Sequence, residues 1–387
     1  MKSRFYLFSR RPQGGVLEQA TPQRRLNVLI LALLALAAGC SHRGTPESLW
    51  LGQVTPMTGA DKSIGDHARQ GASIAVTELN TADNLVLAHK VMIRQADAKS
   101  AEAEAVRLVG VNRVVALLGG TDSAQAEQLA RGAESAGVPV VLQVAVPLLG
   151  ERAFSIVPSL SRRGQALAKF VREKKLSKVA VALDERSSSA GPVADAIAGE
   201  FPKESVARFT LKSPEELPAV AGKVADAKPQ AAVFLGSAQD ALKWSVQMKK
   251  ALPNVSLFYS GDESGLPVLL GDRAASDDVY LITSYFAGDE TAENQSFVKS
   301  YQEQHSELPD VNAALAYDAT RLLAEAIRTA GSINPVKVRE ALSKLDTFAS
   351  VTGPLTFGPD HHAVRPLFVV QIKDGQAVLR KRYGADE

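Results

Sequence analysis

From residue 49 onward, short apolar runs alternate with segments whose apolar residues recur every three or four positions. The runs at 49–54, 91–95, 114–118 and 138–142 read as strands, and 65–80, 101–113 and 124–136 read as the helices between them. In 65–80, Ala68, Ala72, Ala75, Val76 and Leu79 share one helical face. Gly119-Gly120 breaks the third strand, and Gly137 stops the helix before the fourth. The pattern restarts after 154–157, with strands at 178–183, 205–211, 231–235, 255–259 and 279–284. Helical spacing fills 162–174, 192–201, 215–227 and 238–252. Then two helices, 293–305 and 312–330, follow with no strand between them, and a third at 335–345 opens on Asn334-Pro335, a cap followed by Pro at the first helical position. The tail is β at 355–357, 367–372 and 377–380, with Asp374-Gly375 as a hairpin turn. Apolar strands joined by helices predict parallel sheets covered on both faces. The expected class is α/β, in two units, with a segment that returns late in the chain.

The length of 387 residues agrees with two domains rather than one. With 45% hydrophobic and 22% charged residues, the composition is that of a globular chain. The formal charge of +2 is unevenly placed: without residues 1–39 the chain has 38 basic and 41 acidic residues, a net −3. A nucleic-acid binder would keep its basic excess, so that class is set aside.

Before the first strand lies an apolar run at 26–39 (LNVLILALLALAAG), preceded by Arg24-Arg25. At 14 residues it is shorter than the roughly 20 needed to span a bilayer, and it fits the core of a secretory signal. The run ends in Ala37-Ala38-Gly39-Cys40, and this is the only Cys of the chain. A single Cys excludes an intrachain disulfide and a thiolate cluster. Small residues before a Cys resemble the lipobox of bacterial lipoproteins, with Ala37 where Leu is usual and Leu36 one step earlier. The resemblance implies cleavage before Cys40 and its lipidation, leaving 1–39 as signal and 40–47 as a tether to the membrane; the alternative is a plain cleaved signal.

Catalytic motifs are missing. The six His residues form no HExxH or other i, i+4 pair, and His361-His362 read as a surface turn after Pro359-Asp360. Gly261-Asp262-Glu263-Ser264-Gly265 places its Ser one position too late for a nucleophile elbow, and neither a GxGxxG nor a phosphate loop occurs. The reading is a non-enzyme without cofactor or metal.

Five segments carry a resemblance to a known family. They are Pro56-Met57-Thr58-Gly59 with Gly65, Gly71 and 75–80; Gly119-Gly120-Thr121-Asp122-Ser123 with 137–140; Val157-Pro158-Ser159 with Gly164; Ala316-Tyr317-Asp318-Ala319 with 322–327; and 352–357 with Asp374-Gly375. In order and spacing, over nearly all of 48–380, the chain resembles periplasmic binding proteins of the leucine/isoleucine/valine type, which serve ABC importers. The resemblance implies two Rossmann-like lobes joined by three crossovers, the type I periplasmic binding fold. Lobe 1 would comprise 48–156 and 285–353, lobe 2 157–284 and 354–387, with crossovers near 155–159, 282–286 and 353–357. A small ligand would sit between the lobes, and the partners would be an ABC permease and, through the lipid anchor, a membrane.

For the site, Gly119 to Ser123 joins an apolar strand to a helix, where free backbone N–H groups and small residues suit an anion. The resemblance implies that Ser123 holds a ligand carboxylate, with Gly120 and Thr121 beside it; the alternative for Thr121, Asp122 or Ser123 is a helix cap. Two expected amino-acid contacts are missing. Gln143 and Val146 stand where relatives have Pro and a carboxylate-binding Thr, and Ser188 stands where they often have Tyr. Glu263, with Asp262 next to it, matches an acid that faces a ligand ammonium; the alternative is a solvated loop carboxylate. Tyr285 could pack on a ligand or serve as a hinge aromatic, and Tyr317 and Asp318 read as structural. The missing contacts keep open a second class, an envelope lipoprotein using the same lobes for sensing or for regulating an enzyme.

Overall fold

A computed structural model describes residues 47–147 and 150–385. Cys40, the signal and the tether up to residue 46 lie outside the described residues. Five strands, β1 (Ser48–Thr55), β2 (Lys90–Asp97), β3 (Ala116–Gly119), β4 (Val140–Leu142) and β5 (Ala153–Ser155), form a sheet in the order β2-β1-β3-β4-β5. Every pairing in it is parallel. Helices α1 (Lys62–Leu79), α2 (Ala101–Gly110) and α3 (Ser123–Ala136) provide the crossovers. This is the arrangement that fully apolar strands require, since both sheet faces are covered.

After β5 the chain enters a second lobe. Its strands are β6 (Val179–Asp184), β7 (Val206–Leu211), β8 (Ala231–Leu235), β9 (Ser256–Tyr259) and β10 (Val279–Thr283). Helices α4 (Leu160–Glu173), α5 (Ala190–Gly199), α6 (Leu217–Asp226) and α7 (Ala238–Ala251) cover this sheet. Two short helices, α8 (Gly265–Leu270) and α9 (Arg273–Ser276), fall in a stretch where no helix is expected from the pattern.

The chain then returns to the first lobe with α10 (Ala292–His305), α11 (Val311–Ala330) and α12 (Pro335–Ser343). Helix α11 lies against α1, and their backbones approach closely at Gly71. A Cβ there would stand 1.9 Å from the Ala313 carbonyl oxygen, so only Gly fits. Strands β11 (Phe348–Ser350), β12 (Gly353–Phe357) and β13 (Ala363–Val364) make a small antiparallel sheet. The β expected at 355–357 is part of β12, within the segment expected as a crossover, and the chain rejoins the large sheet at Leu367. There β14 (Leu367–Lys373) and β15 (Gln376–Tyr383) complete the order β15-β14-β10-β9-β8-β6-β7, with β14 and β15 antiparallel to their neighbours. The His pair is not a plain surface turn: His362 is buried, and the His361 ring stacks on Phe154 at 4.4 Å.

The two sheets meet a common line of loops. The loop after β3 and the loop after β9 both leave the carboxyl ends of parallel strands, the edge at which α/β sheets bind ligands.

Candidate functional site

The first wall of the cleft begins at the end of β3. Gly119 has φ +140 and a Cβ there would stand 2.0 Å from the Val54 carbonyl oxygen. Gly120, at φ +70, donates its N–H to the same carbonyl at 3.2 Å. The chain can turn this tightly into α3 only with two glycines. Asp122 caps α3, its carboxylate accepting from the Gln125 N–H at 2.8 Å. Thr121 donates to the Gln125 side-chain oxygen at 3.3 Å. Capping therefore falls to Asp122, and the Ser123 hydroxyl is left for another partner.

That partner comes from the opposite lobe. In the loop after β9, Asp262 accepts from the Ser123 hydroxyl at 2.6 Å and from its backbone N–H at 3.4 Å. Burial pushes the Asp262 carboxyl above its ordinary range, opposed by the two Ser123 hydrogen bonds and the nearby Arg163 charge. Burial raises Asp122 as well, and the charge of Asp262 adds to the effect.

Glu263, the next residue, is buried behind Asp262. Its carboxylate pairs with the Arg163 guanidinium and accepts from the Ser284 N–H at 2.9 Å, the Ser284 hydroxyl at 2.8 Å and the Thr283 hydroxyl at 3.2 Å. It is 3% exposed. Glu263 is thus no solvated loop acid, and the cation beside it in this structure is the Arg163 guanidinium. Arg163 also donates to the carbonyls of Gly261 at 2.9 Å and Ile282 at 3.4 Å, and burial lowers its pKa to about 10.

The other expected site residues are placed as follows. Gln143 is buried within the first lobe and donates to the Asn312 carbonyl at 3.2 Å. Val146 is fully buried in an apolar cluster, and its carbonyl accepts from His362 at 3.2 Å. Tyr285 is in the core instead of on the cleft wall, its ring centroid 6.5 Å from that of Phe297. Ser188 is exposed and donates to Glu127 of α3 at 2.6 Å, a second hydrogen bond between the lobes.

Asp262 borders the space between the lobes on several sides. On one side is a chamber of about 140 Å³ lined by Asp61, Thr121, Asp122, Tyr259 and Val268 among others. On the other side, a wider opening of about 380 Å³ runs past Ser123, Glu127, Arg186 and Ser188. Behind Asp262, among Val144, Leu160, Arg163 and Glu263, only about 10 Å³ remains, hardly one water's worth of room. Among the described residues, no group of three or more His, Cys, Asp and Glu is placed to hold a metal.

The family model described as "periplasmic binding protein" matches residues 49–377. The chain belongs to the periplasmic binding protein family. This family member is 24% identical over 361 residues to the Leu/Ile/Val-binding protein homolog 7 of Brucella abortus, covering 84% of this chain and 88% of the relative. Its fold matches that of a leucine-binding protein, LivK, from Thermotoga maritima with a TM-score of 0.78 at 21% identity, over 87% of this chain and 99% of the other. It also matches an ABC-transporter solute-binding protein of R. palustris in complex with benzoate, with a TM-score of 0.72 at 19% identity, over 87% and 96% of the two chains.

One residue of this periplasmic binding protein's cleft, Arg163, was not among the expected site residues, although the sequence marks it. On α4, Leu160, Gly164, Leu167, Ala168 and Val171 form the buried stripe, and Arg163 falls on that stripe. A charge on the apolar face of a helix requires a buried partner.

Proposed function

We propose that this protein is an extracytoplasmic solute-binding protein, anchored through lipidated Cys40, that delivers a small polar solute to the permease of an ABC importer. The observation that carries the reading is the pair of Ser123 donors, hydroxyl and N–H, which hold a carboxylate across the cleft. A solute carboxylate or carboxamide reaching Ser123 would meet the same two donors once Asp262 withdraws. Family membership and the two-lobed fold support the reading, as do relatives named for branched-chain amino acids or solved with benzoate. The solute is amino-acid-like, an amide or a carboxylate, and the acid expected to meet a ligand ammonium, Glu263, is engaged by Arg163 in this structure. Mass spectrometry of small molecules released on denaturing the purified protein tests the reading. A stoichiometric polar solute is the expected result, and its absence from protein purified under native conditions counts against it.

A second reading, a lipoprotein whose lobes form a sensory or enzyme-regulating module, is favoured by one observation: Asp262 already occupies the Ser123 donors. In that case the lobes would close with no solute between them, and the released-ligand measurement would return nothing.

A further inference from the structure

The contact between Ser123 and Asp262 has the chemistry of a ligand contact but is made by the protein itself. It joins the helix start of one lobe to a loop of the other, 139 positions away in sequence. Its hydroxyl-to-carboxylate distance of 2.6 Å is that of a charge-assisted hydrogen bond. Asp262 also lines all three spaces of the cleft. The other pole is likewise filled from within, since the Arg163 guanidinium meets Glu263 where a ligand cation is expected. A closed cleft normally draws its closing contacts from the ligand, whereas here a side chain of the second lobe, Asp262, supplies one.

We propose that Asp262 is a built-in stand-in for a ligand carboxylate: it latches the lobes closed through Ser123 and competes with any carboxylate solute for that site. The proposal rests on the solute-binding reading only in its second half; the latch acts with or without a solute. A carboxylate reaching Ser123 from the wider opening must displace Asp262 and leave its charge nearby, together with that of Asp122. A neutral amide meets no such repulsion, because its carbonyl can accept from Ser123 while its NH2 donates to Asp262. Asp262 therefore sets the selectivity of the cleft against free carboxylates.

The test uses the full mature chain, stripped of ligand by denaturation and refolding, with one spin label on each lobe. Interlobe distances are read for the wild type, Asp262→Ala, Ser123→Ala and the double variant. The wild type is expected to be mainly closed, and each single variant should lower the closed-to-open ratio about tenfold or more, as loss of a hydrogen bond to a charged group implies. The double variant should open no further than the singles, because both remove the same bond. Closed distances in Asp262→Ala matching the wild type would overturn the latch. Melting curves separate opening from unfolding, and Asp262→Asn, which keeps the shape without the charge, serves if the alanine variant does not fold. Sodium benzoate and benzamide are then titrated by calorimetry. Asp262→Ala should gain about tenfold or more for benzoate relative to benzamide, and the lack of any relative gain would overturn the competition. Because the distances need no ligand, failure of the latch leaves the solute reading standing. A working latch in a protein that releases no solute would leave the latch standing and sink the solute reading.

Discussion

Arg365 and Asp318 form an ion pair with no exposure to solvent at the place where the chain crosses between lobes. Arg365 donates to Asp318 at 3.2 Å, to the Thr352 hydroxyl at 2.7 Å and to the Ile156 carbonyl at 3.1 Å. Asp318 also accepts from the Val351 N–H at 3.0 Å. One guanidinium thus ties together α11, the segment leaving β5 and the segment that rejoins the large sheet. Burial raises Asp318 and lowers Arg365, each opposed by the charge of the other. Removing one partner leaves the other charge buried and uncompensated. Arg365→Met should therefore destabilise the protein by about 3–5 kcal/mol in a denaturant titration. Asp318→Asn, which keeps an acceptor for Val351 but leaves the Arg365 charge unpaired, should cost a comparable amount, and a negligible loss in that variant would remove the charge from the explanation.

His67 on α1 gives the fold a pH dependence of known sign. Its Nδ1 lies 2.8 Å from Asp310, the cap of α11, and its Nε2 lies 3.6 Å from Glu307. The hydrogen bond to Asp310 raises the His67 pKa, with burial opposing and Asp310, Glu307 and Asp66 adding charge attraction. A raised folded pKa means that the protonated form favours the native state. The contribution is complete below the unfolded value of about 6.5 and is lost as pH rises through the folded pKa. The gap in unfolding free energy between wild type and His67→Gln should then be larger at about pH 5.5 than at about pH 8.5. A gap that stays constant or widens with pH would show that His67 packs without titrating.

The strands and helices with strong periodicity stand in the structure as the pattern predicts, to within a few residues at their ends: 65–80 is Lys62–Leu79 and 231–235 is Ala231–Leu235. What the sequence could not show falls into two kinds. Strands of two or three residues, such as Ala363–Val364 and Phe348–Ser350, carry no period at all. Loop side chains are the other kind. Asp262 and Glu263 are adjacent and chemically alike, yet one turns into the cleft and one into the hinge, a choice set by where Arg163 is buried on another helix. The donors at Ser123 were legible from the Gly119-Gly120 break, because that turn follows from local backbone geometry. Their partner was not, because it arrives from 139 residues away.

Cys40 should be the lipid-bearing residue. The warrant is its position, since the only Cys of the chain directly follows a 14-residue apolar run that ends in three small residues. Several acyl chains hold a protein on a bilayer, each buried methylene adding about 0.8 kcal/mol. Cys40→Ser should abolish incorporation of a fatty-acid analogue, and the protein should partition away from membranes on fractionation. Undiminished labelling in that variant would place the modification elsewhere or dispense with it.

Leucine, isoleucine and valine should bind weakly or not at all, despite the family. An α-amino acid brings a carboxylate and an ammonium, and each needs a partner once closure removes its water. The Ser123 donors are held by Asp262, and the Glu263 acceptors by Arg163, Ser284 and Thr283. Val146 has no hydroxyl to offer and is fully buried, while Ser188 is turned toward Glu127 with no aromatic ring to cover a ligand. Admitting the zwitterion would mean breaking a charge-assisted bond at one pole and a buried ion pair at the other. Breaking a buried pair by itself costs about 3–5 kcal/mol, an amount comparable to three decades of affinity. A thermal-shift panel decides the point. A ligand with a dissociation constant of about 1 μM, supplied at about 1 mM, stabilises the native state by about 4 kcal/mol and moves the melting temperature by several degrees. None of the three amino acids should produce such a shift in the wild type. A shift of that size with leucine would show that the loops carrying Asp262 and Glu263 rearrange on binding and release both poles.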